Sequence, residues 1–216
     1  MIRILTSCLL ILSTIIYCVV EKNNANKVLN ENCIEIYLYK EFITPENNIE
    51  LKKSEYYKEN KNGELKDLDE NYLNRLAFDT IEKKIVTKYG GFKNKINLIE
   101  STPFIKNNEI SFFQNSKDST TTLVLNKKIK SKVKYTNGWN NHLNQFIVLV
   151  NNKPALNGYL FYSMSSSICD NTNILIYGGN ELLLLDFSNR KITNTNIKKD
   201  YPELYHAFKN SNRLIE

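Results

Sequence analysis

The residues from Gln145 to Phe187 decide the fold. They read Gln-Phe-Ile-Val-Leu-Val (145–150), Asn-Asn-Lys-Pro (151–154), Ala-Leu-Asn-Gly-Tyr-Leu-Phe-Tyr (155–162), a polar segment (163–173), Ile-Leu-Ile-Tyr (174–177), Gly-Gly-Asn (178–180) and Glu-Leu-Leu-Leu-Leu-Asp-Phe (181–187). Short apolar runs separated by Asn, Gly and Pro are typical of strands joined by turns. The stretch therefore predicts four antiparallel strands. Phe146–Val150 and Leu182–Leu185 are apolar at every position, which predicts that both of their faces are covered and that they are central strands.

One internal helix is predicted before this stretch. Asp67 and Glu70 have the spacing of a capping box, and apolar residues then recur at roughly helical intervals as far as Gly90-Gly91. The pattern predicts a helix over about 68–89. The second half of this segment is rich in Thr, Ile and Val, so a hairpin across 78–86 is the alternative.

A second helix is predicted at the end of the chain. Asp200 and Glu203 have capping-box spacing, with Pro202 inside the first turn. The apolar residues that follow fall on one face, which predicts a helix over about 201–215 that lies on the sheet.

The remaining short apolar runs predict further strands. Their boundaries are Cys33–Ile43, Ile49–Tyr57, Ile96–Glu100, Glu109–Phe113, Thr120–Asn126 and Lys128–Thr136. The sequence therefore predicts an α+β domain, mainly antiparallel sheet, with a meander-like C-terminal half.

The N-terminus has the layout of a secretory leader. Arg3 lies in a short basic start, and Ile4–Val20 carries no charge. Polar sequence follows it, as is typical of an exported protein. We therefore expect a signal peptide or lipoprotein leader at 1–20, a polar tether at 21–32, and a single globular domain at 33–216. The expected location is periplasmic or extracellular.

The fate of the leader has three alternatives. Cys18 follows aliphatic residues, as the lipidated cysteine of a lipoprotein does, although Tyr17 stands where a small residue is expected. Simple cleavage is the second route and an uncleaved anchor is the third, the apolar run being shorter than the ~20 residues of a spanning helix. Lipidation at Cys18 would anchor the protein to a membrane.

Two cysteines, Cys33 and Cys169, lie outside the leader. In an oxidising compartment such a pair favours a disulfide, and closing this long loop could stabilise the fold by ~4 kcal/mol. Two buried free thiols are the alternative. No cysteine or histidine spacing indicates a metal site, and no cofactor is expected.

The net charge of +6 is unevenly distributed, and four lysines at alternate positions form a basic stripe. On a strand, alternate residues share one face, so this stripe could meet an acidic partner. The alternative is a solvated face that discourages aggregation. Arg, the usual reader of bases, is scarce, so nucleic acid is not an expected partner. The lysines concerned are Lys128, Lys130, Lys132 and Lys134.

Catalytic motifs are absent from the sequence. His142 and His206 lie in no metal-binding spacing, and Ser165–Ser167 lies in no nucleophile elbow. The sequence therefore favours a non-catalytic binding protein of the cell envelope that engages another protein, such as an inhibitor or a toxin-immunity protein. Two alternatives remain: an envelope hydrolase or peptidase that uses Cys169 or the serine run, and a structural or accessory lipoprotein.

Overall fold

The computed structural model describes residues 32–114, 121–126, 144–162, 172–178, 181–188 and 191–216. The leader, the tether up to residue 31 and the expected strand at 128–136 lie outside these residues. The predictions made for them are therefore not tested by the fold.

Twelve strands and four α-helices make up the described chain. The helices are α1 (Glu55–Asn60), α2 (Glu70–Leu73), α3 (Ile197–Asp200) and α4 (Pro202–Asn210). Short 3-10 turns occupy Leu51–Lys53, Ile96–Leu98 and Asn107–Glu109. The strands are β1 (Ile34–Leu38), β2 (Asn48–Glu50), β3 (Leu76–Asp79), β4 (Lys84–Thr87), β5 (Ile110–Gln114), β6 (Thr121–Leu125), β7 (Asn144–Val150), β8 (Lys153–Tyr162), β9 (Thr172–Gly178), β10 (Glu181–Ser188), β11 (Lys191–Asn194) and β12 (Leu214–Ile215).

The strands form one large sheet and one small sheet. The large sheet has nine strands in the order β1-β7-β8-β9-β10-β6-β5-β12, with β11 beside β10, and the small sheet has the order β2-β3-β4. All pairings are antiparallel except β8 with β9 and β12 with β5. The α+β class with a mainly antiparallel sheet is thereby confirmed.

The expectation of four antiparallel strands is wrong at one pairing. β8 and β9 are parallel, with Gly158 opposite Asn173. A two-residue turn imposes antiparallel pairing on the strands it joins, but the polar segment between these two strands is much longer, so it leaves their direction open.

The expected central strands are confirmed as interior strands of the large sheet. Every residue of Phe146–Val150 is at most 7% exposed, and Leu182, Leu184 and Leu185 are buried. β8 and β9 lie between β7 and β10 in the sheet. Apolar side chains on both faces are what such interior positions require.

The closing helix packs on the large sheet, as expected, but it is shorter. The ring of Phe208 stacks on Phe113 with 4.8 Å between centroids, and Leu204 is buried in the same core. The helix ends at Asn210, because Asn212 has a positive φ of 55° and the chain then pairs with β5. The predicted cap at Asp200 is wrong. Asp200 belongs to α3, and Pro202 begins α4 without a side-chain cap.

The single helix over 68–89 is wrong, and the hairpin alternative is confirmed. The helix α2 is short and is capped by Asp69, whose carboxylate accepts hydrogen bonds from the backbone N–H groups of Asn71 and Tyr72. β3 and β4 then form an antiparallel hairpin. β-branched residues prefer this extended backbone over a helix, and their density outweighed the helical spacing.

Two expected strands are replaced by helical turns. The strand at 49–57 ends at Glu50, because the Ser54 hydroxyl accepts a hydrogen bond from Tyr57 N at 3.1 Å and caps α1. The strand at 96–100 begins as a 3-10 turn. The chain from there to Ile105 runs along β1 and hydrogen-bonds it, with Ile36 N donating to Ile105 O at 2.9 Å. It therefore covers an edge that could otherwise pair with another sheet.

The remaining expected strands on described residues, β1, β5 and β6, are confirmed. A small core of Leu51, Leu65 and Leu73 supports the small sheet. The larger core lies between the large sheet and α4.

Arg213 joins the beginning of the described chain to its end. The side chain is 7% exposed. Its guanidinium donates to Asn32 O at 3.1 Å, to Asn107 O at 3.0 Å and to Ser211 Oγ at 2.9 Å. The ring of Phe208 lies 5.7 Å from the guanidinium carbon. Neutral oxygens and an aromatic face therefore surround this buried cation.

Candidate binding cleft

A cleft of about 680 Å³ lies between the small sheet and the middle of the large sheet. The small sheet contributes Asn48, Asp79 and Val86 to one wall. Residues of β8 and β9, together with Tyr201 just before α4, lie opposite this wall and form the floor of the cleft. The volume is within the range of ligand sites, about 300–1,000 Å³.

Close packing of β8 against β9 forms the floor of the cleft. A Cβ atom on Gly158 would lie 2.1 Å from the carbonyl oxygen of Asn173, so only glycine allows this approach. Asn157 precedes this glycine. The parallel pairing therefore brings the two asparagines to neighbouring places at the same part of the sheet.

Asn173 has an unpartnered acceptor at this floor. The side chain is only 8% exposed. Its Nδ2 donates to Asn157 O at 3.1 Å and to the Tyr201 hydroxyl at 2.6 Å. The bond to Asn157 O fixes the amide orientation, since a flipped amide would place Oδ1 against that carbonyl oxygen, whereas the Tyr201 hydroxyl could pair with either end. Its Oδ1 has almost no solvent-accessible surface, and no described residue donates to it.

Asn157 holds one wall of the cleft in place. Its Nδ2 donates to Phe92 O at 2.9 Å and to Asn94 Oδ1 at 2.7 Å. Both amide hydrogens are used, and the chain after Gly90-Gly91 is thereby fastened to β8. The role of this side chain is to position the wall.

The charged residues around the cleft are engaged with one another or with backbone. Lys93 pairs with Glu46 at 2.6 Å, and Lys84 pairs with Glu82. The carboxylate of Asp79 accepts from Glu82 N at 2.9 Å and Ile81 N at 2.8 Å, and these bonds lower the pKa of Asp79. On the walls, two lysines and two glutamates are therefore paired, whereas the Asp79 carboxylate is held by backbone N–H groups.

Tyr201 is a neutral donor at neutral pH. Burial is the largest cause that raises the pKa of this phenol, and Asp186 and Asp200 add to the effect, whereas the hydrogen bond from Asn173 lowers it. The hydroxyl already accepts from Asn173, so its own proton is available to another acceptor.

A second buried amide, Gln145, lies on the other side of β8. Its Oε1 accepts from Ile43 N at 2.6 Å. Its Nε2 donates to Ile43 O at 2.8 Å and to the Tyr159 hydroxyl at 3.1 Å. Tyr159 in turn donates to Gly90 O at 3.0 Å. This network is internally satisfied and fastens two loops to the sheet.

Most of the residues singled out from the sequence lie outside the described part of the chain. These are Cys18, Cys169, His142, Ser165–Ser167, Lys128, Lys130, Lys132 and Lys134. Cys33 is described and half-buried, and burial raises the pKa of its thiol. Its pairing with Cys169 stays a prediction. His206 lies on α4, where it meets the ring of Tyr205 edge-on.

The sequence analysis did not identify Asn157, Asn173 or Tyr201. One signal was present, since Asn157 and Asn173 are the polar residues beside otherwise apolar strand runs. A polar residue at such a position is buried and needs partners, so it indicates a network or a site. The pattern of apolar and polar residues did not predict the parallel pairing of β8 and β9 that brings Asn157 and Asn173 together.

Among the residues that the structure describes, no group of three or more His, Cys, Asp or Glu side chains is placed to hold a metal ion. No helix within the same residues is long and apolar enough to cross a membrane.

Comparison with known proteins adds no family to this picture. No family model, no curated protein and no solved structure matches the chain.

Proposed function

We propose that this protein is an exported, non-catalytic binding protein of the cell envelope, and that it engages another protein through the cleft. One observation carries the proposal: a cleft of about 680 Å³ opens between the two sheets, and exposed charged side chains such as those of Lys93 and Glu46 line it. A concave surface of this size is where a partner is expected to dock. An inhibitor or a toxin-immunity protein is one form of this function.

The charged residues at the rim of the cleft favour a protein as the binding partner. Exposed ion pairs such as Lys93 with Glu46 surround the more buried floor. A polar, charged rim around a desolvated centre is the usual anatomy of a protein interface. The lysines at 128–134 are proposed as a second contact, toward an acidic surface of the partner.

Site-specific photo-crosslinking tests the proposal. A photoreactive residue replaces Lys93, whose side chain is 74% exposed at the cleft, in the full-length chain in its own host. The matched control replaces Lys58, an exposed lysine on α1 that does not line the cleft. We expect one protein adduct of fixed mass from position 93 and none from position 58. Equal labelling at both positions, or labelling at neither, would contradict the proposal.

Export is tested separately by fractionating cells that express the chain with and without residues 1–20. We expect the full chain in the envelope or the medium, and the truncated chain in the cytoplasm. Mass spectrometry of the mature N-terminus distinguishes lipidated Cys18, simple cleavage and an intact Met1. Full-length protein that stays cytoplasmic and unmodified would contradict the localisation.

A further inference from the structure

The small sheet belongs to a unit that has a core of its own. Residues 45–88 form this small unit, which contains β2, β3, β4, α1 and α2. Its core is built on Leu51, Leu65 and Leu73. Among the described residues, this core shares no member with the two cores to which the large sheet contributes. A segment with a separate core can move as one body relative to its neighbour.

The chain enters and leaves the small unit at one place on the large sheet. At the entry, the backbone N–H of Ile43 donates to Gln145 Oε1 at 2.6 Å, and its carbonyl accepts from Gln145 Nε2 at 2.8 Å. At the exit, the Gly90 carbonyl accepts from the Tyr159 hydroxyl at 3.0 Å. Gln145 Nε2 also donates to that hydroxyl. Both crossings are therefore fastened to one hydrogen-bonded pair of side chains, Gln145 and Tyr159, which form the root of the small unit.

The two crossings lie side by side and define an axis. The rings of Phe42 and Tyr89, one on each crossing, have centroids 6.0 Å apart. Beyond the root, Thr44 leads into the small unit and Lys88 leads out of it. The Lys88 ammonium lies 5.7 Å and 5.3 Å from the centroids of these two rings. Hinge motion between two bodies needs dihedral changes in only a few such connecting residues.

Charges on both sides of the cleft oppose its closing when no partner is bound. On the small unit, Asp79 and Lys84 line the cleft. On the other side, Asp186 and Asp200 act on the Tyr201 phenol and help to raise its pKa, to which burial contributes most. Closing the cleft would take such charges out of water, which is unfavourable unless they gain good partners. Groups from a bound protein can supply those partners.

We propose that the small unit is a lid, hinged at its root, that closes the cleft on a segment of the partner protein. The hinge follows from the separate core and the root, whereas the occupant of the closed cleft rests on the proposed function. A ligand shifts such an equilibrium only through tighter binding to one state. A segment that touches both walls binds the closed state more tightly, because the open state offers it one wall at a time.

Distances between pairs of spin labels test the hinge. The labels are introduced as noncanonical residues in the full-length chain, because it carries four cysteines of its own. The cross-cleft pair replaces Ile81, between β3 and β4, and Glu203 in the first turn of α4, both of which are exposed. Their near neighbours Glu82 and Tyr201 line the cleft. We expect a broad distance distribution that extends by several ångströms toward shorter distances.

Two further pairs are the controls. Lys58 with Ile81 lies within the small unit, and Lys153 with Glu203 lies on the large sheet and the helix packed against it. Both pairs should give narrow distributions. A cross-cleft distribution as narrow as these controls would overturn the hinge. A broad Lys58–Ile81 distribution would also overturn it, because the small unit would then not move as one body.

A matched pair of tyrosine variants tests the root. Tyr159→Phe removes the hydroxyl that holds the Gly90 carbonyl and keeps the ring. We expect it to broaden the cross-cleft distribution further and to leave the Lys153–Glu203 distance unchanged, which shows that the large sheet is intact. Tyr72→Phe is the control, because Tyr72 is 52% exposed on α2, and it should change neither distance. Equal effects of the two variants on the cross-cleft pair would overturn the assignment of the root.

The hinge and the proposed function can fail separately. In the complex crosslinked through position 93, we expect the cross-cleft distribution to narrow to the shorter distances, and a complex that keeps the open distance would overturn closure on the partner. A crosslinked partner combined with a narrow distribution in the free protein would reject the hinge alone. A broad distribution without any crosslinked partner would reject the proposed function alone.

Discussion

Gln145 and Asn173 are two buried amides on opposite sides of β8, and their surroundings differ. Gln145 on β7 lies opposite Tyr159, and Asn173 on β9 lies opposite the preceding residue, Gly158. They are 3% and 8% exposed. Gln145 makes three hydrogen bonds that use both its oxygen and its nitrogen. Asn173 uses only its nitrogen within the described chain.

The difference shows that two equally buried amides in one sheet can contribute unequally to stability. Burial alone does not distinguish these two side chains, because both are almost fully covered. Satisfaction does, since a complete network rigidifies the fold, whereas an unpaired buried acceptor costs stability. Stability should therefore depend more on Gln145 than on Asn173.

The largest effect is expected for Gln145→Leu. The change leaves the N–H and C=O of Ile43 without their partner and removes the donor to the Tyr159 hydroxyl, which keeps its bond to Gly90 O. Unsatisfied buried groups cost about 1–3 kcal/mol each, so we expect a loss of about 3–5 kcal/mol in the free energy of unfolding. Urea denaturation measures it.

Gln114→Leu on β5 is the matched control, because Gln114 is exposed. It should change the free energy of unfolding by no more than about 0.5 kcal/mol. Similar losses in both variants would show that the buried Gln145 contributes no more to the free energy of unfolding than the exposed Gln114.

Gly158→Ala should have the next largest effect. The new Cβ would lie 2.1 Å from Asn173 O, which is backbone, so β8 and β9 must separate. We expect a loss of about 3 kcal/mol, at the upper end of overpacking effects. Gly63→Ala is the control, because its nearest neighbour is 3.6 Å away. A tolerated Gly158→Ala would mean that the parallel pairing is wrong.

The predicted Cys33–Cys169 disulfide would restrain the chain four residues before Asn173. Where it forms, Cys33→Ser should lower the melting temperature by several degrees.

Non-reducing peptide mapping of protein from its native compartment measures the bond directly. A cross-linked peptide pair that contains both cysteines is expected. Recovery of two alkylatable thiols would contradict the disulfide and would raise the weight of the alternative in which Cys169 is reactive.

Asn173→Leu should cost less stability than Gln145→Leu. It takes the side-chain donor from Asn157 O and from the Tyr201 hydroxyl, but it also removes the unsatisfied Oδ1, so we expect a loss of about 1–2 kcal/mol. The measurement is the same urea denaturation. A loss equal to that of Gln145→Leu would show that both amides are structural and would remove the distinction between them.

The smallest effect is expected in the pH dependence of stability that Tyr201 causes. Its folded pKa is raised above the unfolded value of about 10, chiefly by burial. The folded state therefore retains the proton longer, and the stability that the neutral phenol contributes is present below about pH 10 and is lost as pH rises through the folded pKa. Unfolding curves of the wild type and Tyr201→Phe, compared between about pH 8 and 11, should converge on the alkaline side. If the stabilities of the two proteins stay equally far apart over this pH range, folding does not raise the pKa of Tyr201.

Apolar runs were sufficient to predict the large sheet, because a strand such as Phe146–Val150 must be covered on both faces wherever it lies. They were insufficient for the segment 68–89, where helical spacing and β-branched residues conflict and the sheet partner decides. The cleft depends on the parallel pairing that places Asn173 opposite Gly158. That contact joins distant parts of the chain, and no local pattern carries it.

The clamp formed by Arg213 has a mechanical consequence. In a protein held by its N-terminal segment, a pulling force enters the folded domain at Asn32. The Asn32 carbonyl is bonded to Arg213, whose backbone carbonyl accepts from Phe113 N at 2.7 Å. Load therefore passes directly to β5, which lies next to the edge strand β12 at the other end of the strand order, and is shared with β1. β1 is thereby protected from being peeled away from β7 as the first element to yield.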